Sequence, residues 1–449
     1  MGERAGARIL TRFTSSEAST LSPNPSPAGG RGEPSAALAT CRLRHANSHT
    51  NMNTITLKPG KEKSLLRRHP WIYATGIATT EGRCEPGATV IVRAADGRFL
   101  AKAAYSPESQ IRARVWTFDE NEPVDHALFK RRVAAAIAYR RQSVQDSDAV
   151  RLIFGESDRL PGLIVDYYGN GATGQLVCQF NSAGVEHWKT AIVQALVKET
   201  GCPNVYERSD AAVRQREGLE LVTGVLAGAE PDPALSVTEH GVRYYVDVRN
   251  GHKTGFYVDQ RDNRKLVGDL AEGREVLNCF CYTGGFSLAA LRGGAKAVTS
   301  IDSSGEALKI AAGNVTLNGF DPERAAWLDA DVFKTLREFR AEGRQFDLIV
   351  LDPPKFAPSA QHIDRAARAY KEINLVGTQL LRPGGLLFTY SCSGAISMEL
   401  FQKIVAGAVT DARADARILR RLSAGTDHPM LAAFPEGEYL KGLLLEKVA

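Results

Sequence analysis

The chain has 449 residues, of which 43% are apolar and 24% charged, an ordinary composition for a globular protein. This length predicts about two to four domains, and it is sufficient to bury a hydrophobic core. The net charge of +5 permits a nucleic-acid partner without requiring one. No apolar run approaches the length of a transmembrane helix, so we expect no membrane partner.

The seven cysteines are scattered along the chain and follow no paired metal-ligand spacing. This usage predicts a reduced, cytoplasmic protein without a disulfide framework and without a metal site. The sequence leaves the oligomeric state open, and a homodimer is compatible with it.

Residues 1–51 form a segment rich in Ser, Ala, Pro, Gly and Arg, with no apolar period. Such a segment cannot bury enough apolar surface to fold, so we expect a disordered or non-native extension. An Arg-rich transit peptide is the alternative, whereas a secretory signal is excluded by the missing apolar stretch. We favour a dispensable extension because Met52 immediately precedes the first strand-like residues, Ile55–Leu57.

Residues 52–128 are predicted to form a small β domain, with strands at Val90–Val92, Phe99–Tyr105 and Ile111–Trp116. Cations crowd its beginning beside a tryptophan, a combination that suits RNA phosphates and stacked bases. A solvated face beside core aromatic residues explains the same spacing equally well. The predicted RNA-binding residues are Lys58, Lys61, Lys63, Arg67, Arg68 and Trp71.

Residues 129–233 are predicted to form an α+β connecting domain in which we find no catalytic constellation. It begins with a basic amphipathic helix over residues 129–144. The elements predicted after it are strands at Leu152–Glu156 and Gly162–Tyr168, a strand at Leu176–Phe180, a helix at Glu186–Glu199 and a strand at Asn204–Arg208.

Residues 234–449 are predicted to form a doubly wound α/β domain, because strand and helix patterns alternate along them. The alternation includes the strand Glu275–Phe280, a turn at Tyr282–Gly285 and a helix from Phe286. A second strand ends at Asp302, about twenty residues past the glycines, where a carboxylate can bind a ribose diol. Strand, glycine turn, helix and terminal acid together predict a nucleotide-type site.

The later strand ends carry further candidates, because ligands bind at the carboxyl ends of parallel strands. Asp329 and Asp331 follow one strand, where they contact an adenine amino group or, alternatively, cap the next helix. Asp352 begins a rigid Pro-Pro segment that can hold a flat base. Cys392 follows another strand and is a nucleophile or, alternatively, a buried inert cysteine.

These motifs, in this order, resemble the bacterial ribosomal large subunit methyltransferase I family, which makes 5-methylcytosine in 23S rRNA. The resemblance covers residues 52–449 and is supported by Lys58–Trp71, Gly155–Asp158, Leu160–Asp166 and Lys253–Arg261 in addition to the strand ends. It implies a PUA domain, a central hairpin module and a class I methyltransferase domain. The implied cofactor is S-adenosyl-L-methionine, and the implied partner is 23S rRNA or a large-subunit precursor.

The resemblance also implies a role for each site residue. Asp352 and Lys355 would face the target base, and Cys392 would attack it. Asn278–Gly285 would hold the methionine end of the cofactor, while Asp302 would bind its ribose. The full set of implied cofactor residues is Phe256, Tyr257, Gln260, Asn278, Phe280, Tyr282, Thr283, Gly284, Gly285, Asp302, Ser303, Asp329, Asp331 and Asp352.

Other functions stay open at this stage. Many RNA 5-methylcytosine enzymes carry a second cysteine after the proline, where this chain has Lys355. We interpret Lys355 as the candidate cation for lowering the pKa of Cys392. An Asp-Pro-Pro segment followed by an aromatic residue is also typical of enzymes that methylate an exocyclic or ring nitrogen. A non-catalytic RNA-binding assembly factor is the alternative of a different class, and the strand-end acids argue against it.

Overall fold

The computed structural model of the protein describes residues 53–357 and 360–448, which hold four β-sheets within one compact unit. The extension predicted at residues 1–51 lies outside the described residues. None of the described helices is long and apolar enough to cross a membrane.

The first sheet has six strands, and Val90 and Val92 show its alternation of buried and outward-facing residues. It is built from β1 (Thr54–Leu57), α1 (Lys63–Leu66), β2 (Trp71–Tyr73), β3 (Ile77–Glu81), β4 (Thr89–Arg93), β5 (Phe99–Tyr105) and β6 (Ile111–Thr117). Its strand order is β2-β6-β5-β4-β1-β3. The predicted small β fold is confirmed, although β2 and β3 were not predicted.

The second sheet has five strands, preceded by a long helix. The elements are α2 (His126–Ser143), β7 (Ala149–Phe154), β8 (Leu163–Tyr168), β9 (Gln175–Phe180), α3 (Ala183–His187), α4 (Lys189–Thr200), β10 (Val205–Ser209) and β11 (Val222–Ala227). Their order is β11-β10-β9-β8-β7. A separate hairpin of β12 (Ser236–Glu239) and β13 (Val242–Tyr245) follows and, like β11, was not predicted.

Helix α2 corresponds to the basic amphipathic helix that was predicted over residues 129–144. It begins at His126, earlier than predicted, because the Asp125 carboxylate accepts a backbone N–H of the first turn at 2.9 Å. Two of its arginines are buried. Arg140 pairs with Asp158 at 2.5 Å, and Arg132 donates to a backbone carbonyl of β6 at 2.6 Å. These charges therefore join neighbouring elements instead of facing solvent.

The third large sheet has seven strands with helices between them. The elements are α5 (Arg261–Asp269), β14 (Glu275–Cys279), α6 (Gly285–Arg292), β15 (Ala297–Asp302), α7 (Gly305–Leu317), β16 (Ala325–Asp329), α8 (Val332–Ala341), β17 (Phe346–Leu351), α9 (Ile363–Leu380), β18 (Leu381–Ser391), α10 (Met398–Asp411), β19 (Ala416–Ser423) and β20 (Lys441–Lys447). Their order is β16-β15-β14-β17-β18-β20-β19. The five neighbouring strands β16, β15, β14, β17 and β18 are parallel. Strand β20 runs antiparallel to both of its neighbours.

Both faces of this sheet are buried, which confirms the predicted doubly wound fold. Val276 and Leu348 pack into one core cluster, while Leu277 and Ile349 pack into another. Adjacent residues thus contact opposite layers, and this explains the near-continuous apolar runs of the central strands. The edge strand β19 was not predicted, because most of its residues are exposed and give no apolar alternation.

Candidate active site

The carboxyl ends of β14, β15, β17 and β18 meet at one edge of the seven-stranded sheet. The chain order reverses between β14 and β17, and ligands of open α/β sheets bind at such a switch point. A cavity of about 640 Å³ opens there, a volume typical of small-molecule sites. The predicted site residues that line it are Phe256, Tyr257, Gln260, Phe280, Tyr282, Thr283, Gly285, Asp302, Ser303, Asp352, Lys355 and Cys392.

The loop after β14 has an unusual backbone that places its side chains at the cavity wall. Phe280 and Tyr282 both have positive φ, at 60° and 49°, which is uncommon for residues with a Cβ. Gly284 has φ 81°, and a Cβ there would lie 2.8 Å from the ring of Trp327. Gly284 is not one of the residues that line the cavity. Its missing side chain instead allows the loop to pack against β16.

Asp302 is held rigidly at the end of β15. One carboxylate oxygen accepts the Tyr282 N–H at 2.8 Å, and the other accepts the Ser304 N–H at 2.9 Å. Each oxygen keeps a further lone pair for a hydroxyl donor. Its position in the cavity wall thus fits the carboxylate predicted for a ribose diol.

Three more of the predicted cofactor residues lie outside this cavity. Asn278 is fully buried and donates to Ser287 Oγ at 2.8 Å, so its side chain braces β14 against α6. Asp331 caps α8 by accepting the Lys334 N–H at 2.8 Å, which is the alternative that its spacing allowed. Asp329 is exposed at the end of β16. Short-range helix capping accounts for Asp331 without a ligand.

Asp352 occupies the cavity wall directly after β17. Gln260 donates to its carboxylate at 3.0 Å, and Asn263 in turn donates to the Gln260 side-chain oxygen at 2.6 Å. Burial, together with the negative charge of Asp259, raises the pKa of Asp352 to about 7. Its carboxyl group therefore changes protonation near neutral pH, which suits an acid–base role.

Cys392 follows β18, which pairs in parallel with β17 as the predicted strand order requires. Its Sγ lies 3.9 Å from the Pro353 carbonyl oxygen, so the thiol and Asp352 share one wall of the cavity. Burial and the charge of Asp352 raise the pKa of Cys392 to about 11. The thiol is consequently protonated at neutral pH before any ligand enters.

The charge of Lys253 opposes this rise in the pKa of Cys392, while Lys355, the cation predicted for that role, also lines the cavity. The Lys253 ammonium lies 2.6 Å from Asp259 Oδ2, and the Tyr439 hydroxyl donates to the same oxygen at 2.5 Å. The sequence placed Lys253 in a motif but gave it no role, and it missed Tyr439. The place of Lys253 in the motif before α5 was a signal in the sequence that could have identified it. No pattern in the sequence indicated Tyr439.

Comparisons with known proteins agree with this geometry. A family model of S-adenosylmethionine-dependent methyltransferases matches residues 207–430, and a PUA-like domain model matches residues 55–118. Ribosomal RNA large subunit methyltransferase I of Shewanella amazonensis is 50% identical over 392 residues, covering 87% of this chain and 98% of that protein. The protein of the same name from Aeromonas salmonicida is 52% identical over 393 residues, with 87% and 98% coverage.

The chain belongs to the ribosomal RNA large subunit methyltransferase I family. Its cofactor is S-adenosylmethionine. A solved methyltransferase complexed with SAH is 21% identical, with a TM-score of 0.76 over 88% of this chain and 99% of that one. A methyltransferase from Streptococcus mutans gives a TM-score of 0.75 with the same identity and coverage. These two structures support the same fold across the PUA-like and methyltransferase regions.

The cavity of this family member fits the cofactor on structural grounds. The strained loop of residues 280–285, the carboxylate of Asp302 and the wall of Phe256 and Tyr257 surround one space. Aromatic and apolar walls suit a base and a methionine chain, while the fixed carboxylate suits a diol.

The predicted RNA-binding residues of this family member fall into two groups. The five cations are exposed on or beside the first sheet. Trp71 is instead half-buried, since its indole N–H donates to Glu156 at 2.7 Å and its ring packs 4.8 Å from Phe434. Trp71 therefore joins the first sheet to other parts of the protein, and this contact competes with stacking on a base.

Proposed function

We propose that the protein methylates carbon 5 of a cytosine in 23S rRNA through a covalent intermediate on Cys392. The observation that carries this proposal is the shared wall of Cys392 and Asp352 at the ends of two adjacent parallel strands. The names of the curated relatives support ribosomal RNA of the large subunit as the substrate. A target base must leave its stack to reach such a cavity.

In the proposed reaction, the Cys392 thiolate adds to carbon 6 of the cytosine, and the electron pair of the 5,6 double bond moves to carbon 5. When bound, the cofactor would supply a methyl group on its sulfonium, and transfer of that methyl to carbon 5 would leave the thioether S-adenosylhomocysteine. A base then removes the carbon-5 proton, the double bond re-forms, and the carbon–sulfur bond breaks. Asp352 holds the pyrimidine through its ring nitrogen N3. Its pKa of about 7 allows the carboxyl group to share a proton with that nitrogen.

A suicide substrate tests the covalent step directly. RNA with 5-fluorocytosine at the target position retains fluorine where a proton would leave, so the carbon–sulfur bond cannot break. We expect the wild type to form a protein–RNA adduct that survives denaturing electrophoresis, and Cys392→Ala to form none. Cys84→Ser, which alters a thiol in the connection between β3 and β4, should form the adduct at the wild-type rate. Full methylation activity in Cys392→Ala would refute the proposal.

Nitrogen methylation is the second candidate, and the raised pKa of Cys392 favours it. A thiol that stays protonated is not a nucleophile, and Asp352 could then polarise an exocyclic amine instead. Mass spectrometry of nucleosides from methylated rRNA separates 5-methylcytidine from its nitrogen-methylated isomers by retention time. We expect 5-methylcytidine, and a nitrogen-methylated nucleoside would establish the second candidate.

A further inference from the structure

The proposed reaction needs a Cys392 thiolate, yet the surroundings of Cys392 in the free protein oppose its ionisation. The charged and titratable groups that face it come from several elements packed around β18. They are Asp352 after β17, Lys253, Tyr257 and Asp259 before α5, Tyr370 on α9 and Lys441 on β20. Both carboxylates disfavour the thiolate, so the placement of the lysines decides its stability.

Three lysines near this cysteine differ in how they are held. Lys441 is 1% exposed and donates to the Ser393 carbonyl at 3.0 Å, and it does not line the cavity. Lys355 lines the cavity but is exposed, so water screens its charge. Lys253 also lines the cavity and its side chain is 34% exposed, but its ammonium is tied to a buried carboxylate. Lys253 thus combines access to the cavity with a fixed position.

The partners of Lys253 fix its ammonium from two sides. Asp259 is 3% exposed and accepts both the ammonium and the Tyr439 hydroxyl on one oxygen. The ammonium also lies 4.3 Å from the centre of the Tyr257 ring, a cation–π distance. The bond to Asp259 uses one of three N–H donors, which leaves others for a group that enters the cavity.

We propose that Lys253 stabilises the Cys392 thiolate, and that Asp259 and Tyr439 are positioning residues that hold the Lys253 ammonium. The inference deepens the proposed function and rests on it. In the ionisation step, the S–H bond breaks, the proton passes to solvent water, and the ammonium stays protonated. The electron pair left on sulfur then forms the bond to carbon 6 of the cytosine.

Alkylation of the free protein measures the thiolate without RNA or cofactor. The rate of iodoacetamide modification of Cys392, followed by peptide mass spectrometry from pH 7 to 11, reports its ionised fraction. Because the wild-type pKa of about 11 lies at the end of this range, the comparison is made at pH 9, where we expect Lys253→Met to raise the pKa and to slow alkylation by about tenfold for each unit of that rise. Lys253→Arg keeps the charge and should stay within about threefold of the wild type.

Lys355→Met is the matched control, because it removes a second cavity-lining lysine and should leave the alkylation profile unchanged. An unchanged profile in Lys253→Met, or a slowed one in Lys355→Met, would overturn the inference. Should Lys253→Met fail to fold by circular dichroism, Lys253→Gln is measured in its place, under the same two criteria.

Tyr439→Phe tests positioning, since it removes one of the two bonds to Asp259 Oδ2 and leaves every charge in place. We expect a higher alkylation midpoint and a lower kcat with an unchanged KM for RNA. A wild-type midpoint would remove Tyr439 from the inference. The two proposals can fail separately. If the 5-fluorocytosine experiment gives no adduct, the proposed function is wrong, whereas the effect of Lys253→Met on the ionisation of Cys392 is measured without RNA and can still be present.

Discussion

The cavity and the basic face of the first sheet use charge in opposite ways. In the cavity, Asp352 and Cys392 are half-buried, and each neighbouring charge shifts a pKa. On the first sheet, cations such as Arg67 and Arg68 are exposed, and water and salt screen them. The cavity therefore depends on single placed residues, whereas the basic face depends on the number of its charges.

The largest expected effect on activity is that of replacing Asp352 in the cavity wall. We expect Asp352→Asn to lower the rate of methyl transfer by about 10²- to 10⁴-fold, because the amide cannot exchange a proton with the base. Single-turnover methylation of rRNA fragments measures this step. A rate within about threefold of the wild type would show that the raised pKa of Asp352 has no catalytic use.

The same carboxyl group should lower stability as pH rises. Its folded pKa of about 7 lies above its ordinary value of 3.8, so the folded state favours the protonated form. Stability therefore falls as pH rises from about 4 to 7, by about 1.4 kcal/mol per pKa unit. We expect Asp352→Asn to gain stability over the wild type at pH 8 and not at pH 4. Urea unfolding at both pH values checks this, and an equal difference at the two would contradict it.

A smaller effect is expected for Asp302, the carboxylate proposed to bind the ribose of the cofactor. Asp302→Ala should weaken S-adenosylmethionine binding by about 5- to 150-fold, because hydroxyl donors would then face an unpaired gap. Calorimetry with the wild type and the variant measures the change. RNA affinity should stay the same, and an unaltered cofactor affinity would remove Asp302 from the ribose site.

The smallest effect is expected on the basic face. Replacing Arg67 and Arg68 by Ala should weaken RNA binding and lower the slope of log affinity against log salt, by about one for each phosphate that the variant no longer neutralises. Cofactor affinity should not change. The matched control replaces Lys309 and Lys334, which are exposed cations of α7 and α8. Equal slopes in both double variants would show that Arg67 and Arg68 do not bind RNA phosphates and belong to an ordinary solvated face.

The sequence predicted which strand-end residues would lie together at one edge of the sheet. Asp302, Asp352 and Cys392 each follow an apolar strand, and parallel strands bring their carboxyl ends to one edge. Position along the chain therefore determined position in space. The resemblance placed the cofactor in the same region, and the family matches confirm that cofactor.

The sequence could not predict contacts that form between distant segments. Tyr439 reaches Asp259 across 180 residues, and no periodicity links the two. Trp71 resembled a stacking aromatic, but Glu156 binds its indole N–H from the second sheet region. Asp331 had two roles available at one spacing, and only its bond to a helix N–H distinguished them.

The buried pair of Arg114 on β6 and Glu217 has a consequence for modular exchange of the PUA-like region. Their side chains meet at 2.8 Å and are 6% and 1% exposed. A PUA-like region without an arginine at position 114 would leave the buried Glu217 carboxylate without its partner, a defect of about 3–5 kcal/mol in comparable cases. We expect Arg114→Met to lower the free energy of unfolding of the full chain, measured in urea, and Glu217→Gln in the same chain to restore part of it. Recombination between relatives at this boundary would therefore have to carry both residues together.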